Sequence, residues 1–129
     1  MRIAATADLH FTAQRYTALR DQLNRVRDEA DLLVLAGDLT NYGQPDEMEP
    51  LLNALVRLRI PIVAVLGNHD YESGREAELI RMMTAEGIKV LDGSAYERDG
   101  VVTELRGWDM ESTVWLRWIF TSVEELPRA

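Results

Sequence analysis

Ile62-Val63-Ala64-Val65-Leu66-Gly67-Asn68-His69-Asp70 is an apolar run that ends abruptly in a polar cluster. Pro61 marks the break before it. A run with no polar alternation fits a strand buried on both faces, as in a parallel sheet covered on either side. The same grammar occurs twice earlier. Leu32 to Ala36 is apolar and is followed by Gly37-Asp38, and Arg2 to Ala7 is short, apolar and followed by Asp8-Leu9-His10. Asp8, Asp38 and Asn68 recur at intervals of thirty residues, about the length of one βαβ unit.

Helices fill the intervals. Leu19, Leu23, Val26 and Ala30 fall three or four apart within Gln14 to Ala30. Gly37 to Pro45 is a loop rich in turn residues, and Asp46 with Glu49 three positions on reads as the cap of the next helix. Pro50 lies near its first turn, and Leu51, Leu52, Leu55 and Leu58 give its apolar face. Ser73 with Glu76 is a second candidate cap, for a helix ending near Glu86, with Gly87 as its terminator and Met82 and Met83 as core filler. Ile88 to Leu91 is a fourth strand. The order β-α-β-α-β-α-β therefore covers residues 1 to about 92, an α/β fold.

Beyond this point the pattern changes. Asp92-Gly93-Ser94 and Asp99-Gly100 are turn signals, so Ala95–Arg98 and Val101–Leu105 read as a hairpin. All three tryptophans (Trp108, Trp115, Trp118) follow Gly107, Thr113 to Phe120 fits a strand or a helix, and Val123 to Leu126 a last helical turn. We divide the chain at residue 105, into an α/β part over 1–105 and a Trp-rich segment over 106–129 whose aromatic residues are candidates for self-association.

Composition narrows the function. The chain has 129 residues, enough for one domain, and no cysteine, which excludes thiolate metal sites. A net charge of −8 argues against a general nucleic-acid surface, though not against nucleic acid as a substrate, since a bound cation reverses the sign of an acidic site. The apolar runs are far shorter than the roughly 20 residues of a membrane span. With no signal-peptide pattern at the N-terminus, the expected location is the cytoplasm.

The polar clusters carry the chemistry. A lone Asp-x-His or Gly-Asp is most often a turn. Their recurrence at the carboxyl ends of successive strands, where open α/β sheets place their sites, points to a metal centre. Carboxylate, imidazole and carboxamide suit Mn, Fe or Zn, and two such ions 3.5–4 Å apart are a standard device for hydrolysing phosphate esters. His69 would then donate a proton or steady the phosphoryl oxygens, with Asp70 holding its tautomer. Asn41 and Tyr42 read more readily as a solvated loop than as substrate contacts.

Asp8-x-His10, Gly37-Asp38 and Gly67-Asn68-His69-Asp70 together resemble the first three signature blocks of the calcineurin-like metallophosphoesterases. The resemblance implies a layered sandwich, a β-sheet core flanked by helices, with a two-metal site at the strand ends. It implies that Asp8 and His10 bind the first metal, that Asp38 bridges, that Asn68 binds the second, and that His69 is catalytic beside the phosphoryl group, with Asn68 and His69 contacting substrate. The implied cofactors are divalent Mn, Fe or Zn ions and the implied substrate a phosphomonoester or phosphodiester of unread identity. The family continues with further histidines, among them a Gly-His-x-His block, and none follows His69 here. Two readings therefore stand side by side. One is a metal-dependent phosphoesterase. The other is a truncated or divergent remnant of that fold that binds one metal or serves as a binding or regulatory domain.

Overall fold

Four short strands lie side by side in chain order: β1 (Ile3–Thr6), β2 (Leu32–Ala36), β3 (Ile62–Val65) and β4 (Lys89–Val90), every neighbouring pair parallel. This is a computed structural model, which describes residues 2–6, 9–12, 16–91, 94–98, 101–106 and 115–120. The register pairs Ile3 with Leu32, Leu33 with Ile62 and Val63 with Lys89. The connecting helices are α1 (Tyr16–Glu29), α2 (Pro45–Leu55), the one-turn α3 (Asn68–Tyr71) and α4 (Glu76–Ala85).

Because successive side chains of a strand point to opposite faces, each strand contributes to two separate cores. Leu33, Leu35, Ile62 and Ala64 pack with Leu19 and Leu23 of α1, Met48, Leu51 and Leu55 of α2, and Leu79 and Met83 of α4. All three long helices therefore cover one face. Each fully buried leucine here stabilises the fold by roughly 2 kcal/mol. On the opposite face Leu32, Val34, Val63, Val65 and Leu91 form a second buried cluster. A second sheet follows in the chain, antiparallel, with order β5 (Ser94–Arg98), β6 (Val101–Arg106), β7 (Trp115–Phe120), and its central strand β6 approaches β3. The chain is thus α/β and layered.

Several boundaries differ from the sequence reading. The helix expected from a cap at Asp46 begins earlier: Gln44 is the N-cap, Pro45 opens α2, and the carboxylate of Glu47, not Glu49, turns back to accept the Gln44 N–H at 3.0 Å. Proline at the first helical position is what its fixed φ favours. Pro50 consequently lies in the second turn. Ser73 does not cap α4; its hydroxyl donates to Gly43 O and accepts from Arg75 N–H, and Arg75 takes the N-cap position instead. The end of α4 follows expectation. Gly87, at φ +83°, donates to Thr84 O while Ile88 N–H reaches Met83 O, and Ile88 and Met83 are both buried. The hairpin is present as β5–β6, and the ambiguous aromatic stretch is a strand, β7. The turn expected at 123–126, and the self-association surface expected of the tryptophan side chains, lie outside the described residues. Among the described residues no helix is long and apolar enough to cross a membrane.

Replacing Gly87 with alanine forces a Cβ into the left-handed region without removing a packing contact. A loss of about 1 kcal/mol is expected in chemical denaturation.

Candidate metal centre

The site grows from the chain that leaves β2. Past Ala36 it passes through Gly37 and then Asp38, whose φ of 51° is left-handed, as is that of His10 at 42°. Non-glycine residues held there cost on the order of 1–3 kcal/mol and cluster at functional sites. The two strained residues are partners. His10 N–H donates to Asp38 O and Phe11 N–H to Leu39 O, both at 2.9 Å, and Phe11 and Thr40 form an isolated parallel bridge. Residues 10–11 and 38–40 thus run on together beyond the sheet's edge. Asp8, the first expected ligand, lies outside the described residues.

Asp38 is the meeting point. Its Oδ2 stands 3.9 Å from His10 Nε2, and its Oδ1 accepts the His69 N–H at 3.0 Å. With its amide nitrogen turned inward, Asn68 donates to both Asp38 oxygens, at 3.0 and 3.1 Å. The rings of His10 and His69 meet edge to face with centroids 4.6 Å apart. Gly67 makes the approach of the two loops possible: a Cβ there would overlap the Asp38 carboxylate oxygen and its backbone nitrogen.

The loops are held by Asp70, which is 0% exposed. Its Oδ2 accepts from Leu39 N–H at 3.1 Å and Gly67 N–H at 2.9 Å. Its Oδ1 accepts from Thr40 N–H at 2.8 Å and the Thr40 hydroxyl at 2.7 Å. A buried carboxylate requires such a full complement of donors. The sequence suggested Asp70 as the group that orients His69. In the fold, the atom facing His69 Nδ1 is Asn41 O, at 2.8 Å. Asn41 is held in turn by Glu47, whose carboxylate accepts the N–H groups of Asn41, Tyr42 and Gln44. Asn41 O, hydrogen-bonded to the ring, raises the His69 pKa above 6.5; the charge of Asp38 acts in the same direction, against the opposing effect of burial.

The donor set fits a divalent cation. The ligand atoms of His10, Asp38 and His69 all lie within 4.8 Å of one another, and two atoms sharing one ion at about 2.0–2.2 Å stand up to about 4.4 Å apart. A small contraction closes them on an ion. Asn68 stands against the Asp38 carboxylate, so its carboxamide oxygen, turned over, would be available as a further ligand of a cation held there. Imidazole, carboxylate and carboxamide together suit Mn, Fe or Zn.

Two imidazoles and a carboxylate thus gather at the carboxyl edge of a parallel sheet, close enough to hold a metal ion. The chain belongs to the calcineurin-like phosphoesterase family, whose model matches residues 1–116. The glycerophosphodiester phosphodiesterase GpdQ of Enterobacter lignolyticus is 26% identical over 153 aligned residues, covering 100% of this chain and 55% of that protein. A probable cyclic nucleotide phosphodiesterase of Moraxella catarrhalis is 37% identical over 76 residues, 53% of this chain and 27% of its own length. A 3′,5′-cyclic-nucleotide phosphodiesterase of Nostoc is 37% identical over 59 residues, 46% of this chain and 22% of that protein. The chain thus spans about half, or less, of the length of these relatives. The family generally uses divalent metals.

Sequence reasoning missed Thr40, Asn41 O and Glu47. The signal for Glu47 was present: an acid three residues after an N-cap, in Gln44-x-x-Glu47, as Asp70 is in Gly67-x-x-Asp70.

Asp70→Asn places an NH2 against groups that are themselves donors, so a loss of about 2–4 kcal/mol is expected in urea denaturation. In the metal-free protein the ring protons of His69 are expected to titrate above 6.5 by NMR. A raised folded value means that this group's contribution to stability is complete below 6.5 and is lost as pH rises through the folded value.

Proposed function

We propose that this chain hydrolyses phosphodiester bonds at a divalent metal centre to which Asp8, His10, Asp38 and Asn68 supply ligands. The observation that carries the reading is the convergence of His10, Asn68 and His69 on Asp38 at the strand ends. Its support from relatives is that several carry phosphodiesterase names. Asp38, at the centre of this cluster, would be a ligand of the bound metal.

A divalent ion held there would lower the pKa of a bound water toward neutrality and offset the charge of the phosphoryl oxygens. The chain's own residues do the rest. Asn41 O engages His69 Nδ1–H and leaves Nε2 as the atom that gives a proton to the departing oxygen. Asn68 and His69 orient the phosphoryl group. Asp70 is a positioning residue, since it fixes the backbone on which Asp38 and His69 stand.

One observation favours a second reading. Among the described residues a single group of three His, Asp or Glu side chains is close enough to share an ion. That set holds one metal, as a binding or regulatory domain would. Metal stoichiometry separates the two readings, with two tightly bound ions per chain expected of the hydrolase and one or none of the alternative.

Hydrolysis of bis(4-nitrophenyl) phosphate is expected to depend on added Mn or Zn. Asp38→Ala should lower it by at least about a hundredfold, and His69→Ala by about 10²–10⁴-fold. Activity that survives Asp38→Ala contradicts the proposal.

A further inference from the structure

Beside the metal centre lies a cavity of about 390 Å³, within the size range of pockets that bind small molecules. Its wall includes Phe11 and Asn41, and these tie it to the centre at two points. Phe11 follows His10 directly, and Asn41 supplies the carbonyl that holds His69. Tyr42, Gln44, Asp46 and Pro50 complete the features that matter here.

Tyr42 is 57% exposed, yet its backbone is well held. Its N–H donates to both oxygens of Glu47, at 3.0 and 3.2 Å. The next residue, Gly43, donates to the Thr40 hydroxyl at 2.9 Å. Gly43 also sits, at φ +73°, where a Cβ would overlap Asp70 O. The aromatic ring is therefore presented to solvent from a fixed loop at the rim of the reacting centre. An exposed ring on a rigid base can accept a ligand with little ordering cost.

The cavity's charge adds a second constraint. Asp46 and Glu47 both line it, and among the described residues no basic side chain does. Glu47 is occupied by three backbone N–H groups of the loop, while Asp46 is exposed at the second helical position of α2. An anionic group placed here would meet like charge from Asp46, with no basic side chain among the described lining residues to offset it.

We propose that this cavity receives one alcohol group of the phosphodiester, that Tyr42 is its aromatic wall, and that Asp46 selects against a negative charge on that group. The substrate class is then a diester with an uncharged, partly apolar alcohol such as an aryl or ring-bearing one. Phosphoanhydrides and esters with an anionic tail are disfavoured. This rests on the metal-centre reading for the seat of the phosphoryl group, but the cavity itself is tested by binding.

The test uses the full chain in the presence of zinc, with diphenyl phosphate and bis(4-carboxyphenyl) phosphate as probes. Diphenyl phosphate is expected to shift the amide signals of Asn41, Tyr42 and Gln44 in ¹H–¹⁵N spectra, and to bind about tenfold more tightly than the carboxylated probe. Tyr42→Ala should weaken diphenyl phosphate about fivefold to tenfold, and Tyr42→Phe should retain most of the affinity. Asp46→Asn should narrow the gap between the two probes. Shifts confined to residues away from the cavity, or equal affinity for both probes in the wild type, overturn the proposal. Zinc-independent binding at the cavity, without hydrolysis of any diester, would leave the cavity standing and remove the catalytic reading instead.

Discussion

The four hydrogen bonds of the Asp70 carboxylate are the constraint on which the rest depends. A metal centre of this kind draws its ligands from separate strand ends, and nothing in a parallel sheet alone aligns the loops that follow. Asp70 does so from below. It reaches from the loop after β3 to the backbone after β2, and it turns back to its own N-cap at Gly67. The loops it joins carry Asp38 on one side and Asn68 and His69 on the other. Burying a carboxylate is unfavourable unless every lone pair is met. The cost is offset only when both loops are in place, so this buried acid also selects one arrangement of them.

The same device occurs one loop away. In Gln44-x-x-Glu47 and Gly67-x-x-Asp70, an acid in the first helical turn reaches back to accept the N-cap N–H. In each case the remaining acceptor capacity goes to the preceding loop. Glu47 holds residues 41–44, which carry the carbonyl that engages His69. Two first-turn acids thus organise the loop around the centre, one buried and one at its rim. Against this frame stand the left-handed backbones of His10 and Asp38, joined by one hydrogen bond. Strain at two adjacent ligands persists because the surrounding hydrogen bonds leave no room for relaxation.

Much of this was legible in the sequence. The unbroken runs Leu32–Ala36 and Ile62–Val65 declared a parallel sheet covered on both faces, and the thirty-residue spacing of Asp8, Asp38 and Asn68 pointed to one edge, where Asp38 and Asn68 meet. Gly87 announced the end of α4. What the sequence obscured were choices between neighbouring residues of similar chemistry. Asp46 has the chemistry of a cap, but proline at the first helical position sets the N-cap at Gln44, which makes no side-chain cap of its own. Ser73 has the composition of a cap, but its hydroxyl is drawn to Gly43 O by the packing of two loops distant in sequence. The partner of His69 is a backbone carbonyl, which carries no residue-type signal. The Trp-rich stretch has apolar residues compatible with either period, and pairing with β6 decides in favour of strand.

We read His10, Asp38 and the loop bearing Asn68 and His69 as closing on a divalent metal centre. The most direct measurement is anomalous diffraction at the zinc edge from crystals grown or soaked with zinc. A peak is expected about 2.0–2.2 Å from an imidazole nitrogen of His10 and a carboxylate oxygen of Asp38, with Asn68 and His69 turned toward it. No peak beside Asp38, or zinc held only by surface carboxylates elsewhere, would contradict this arrangement.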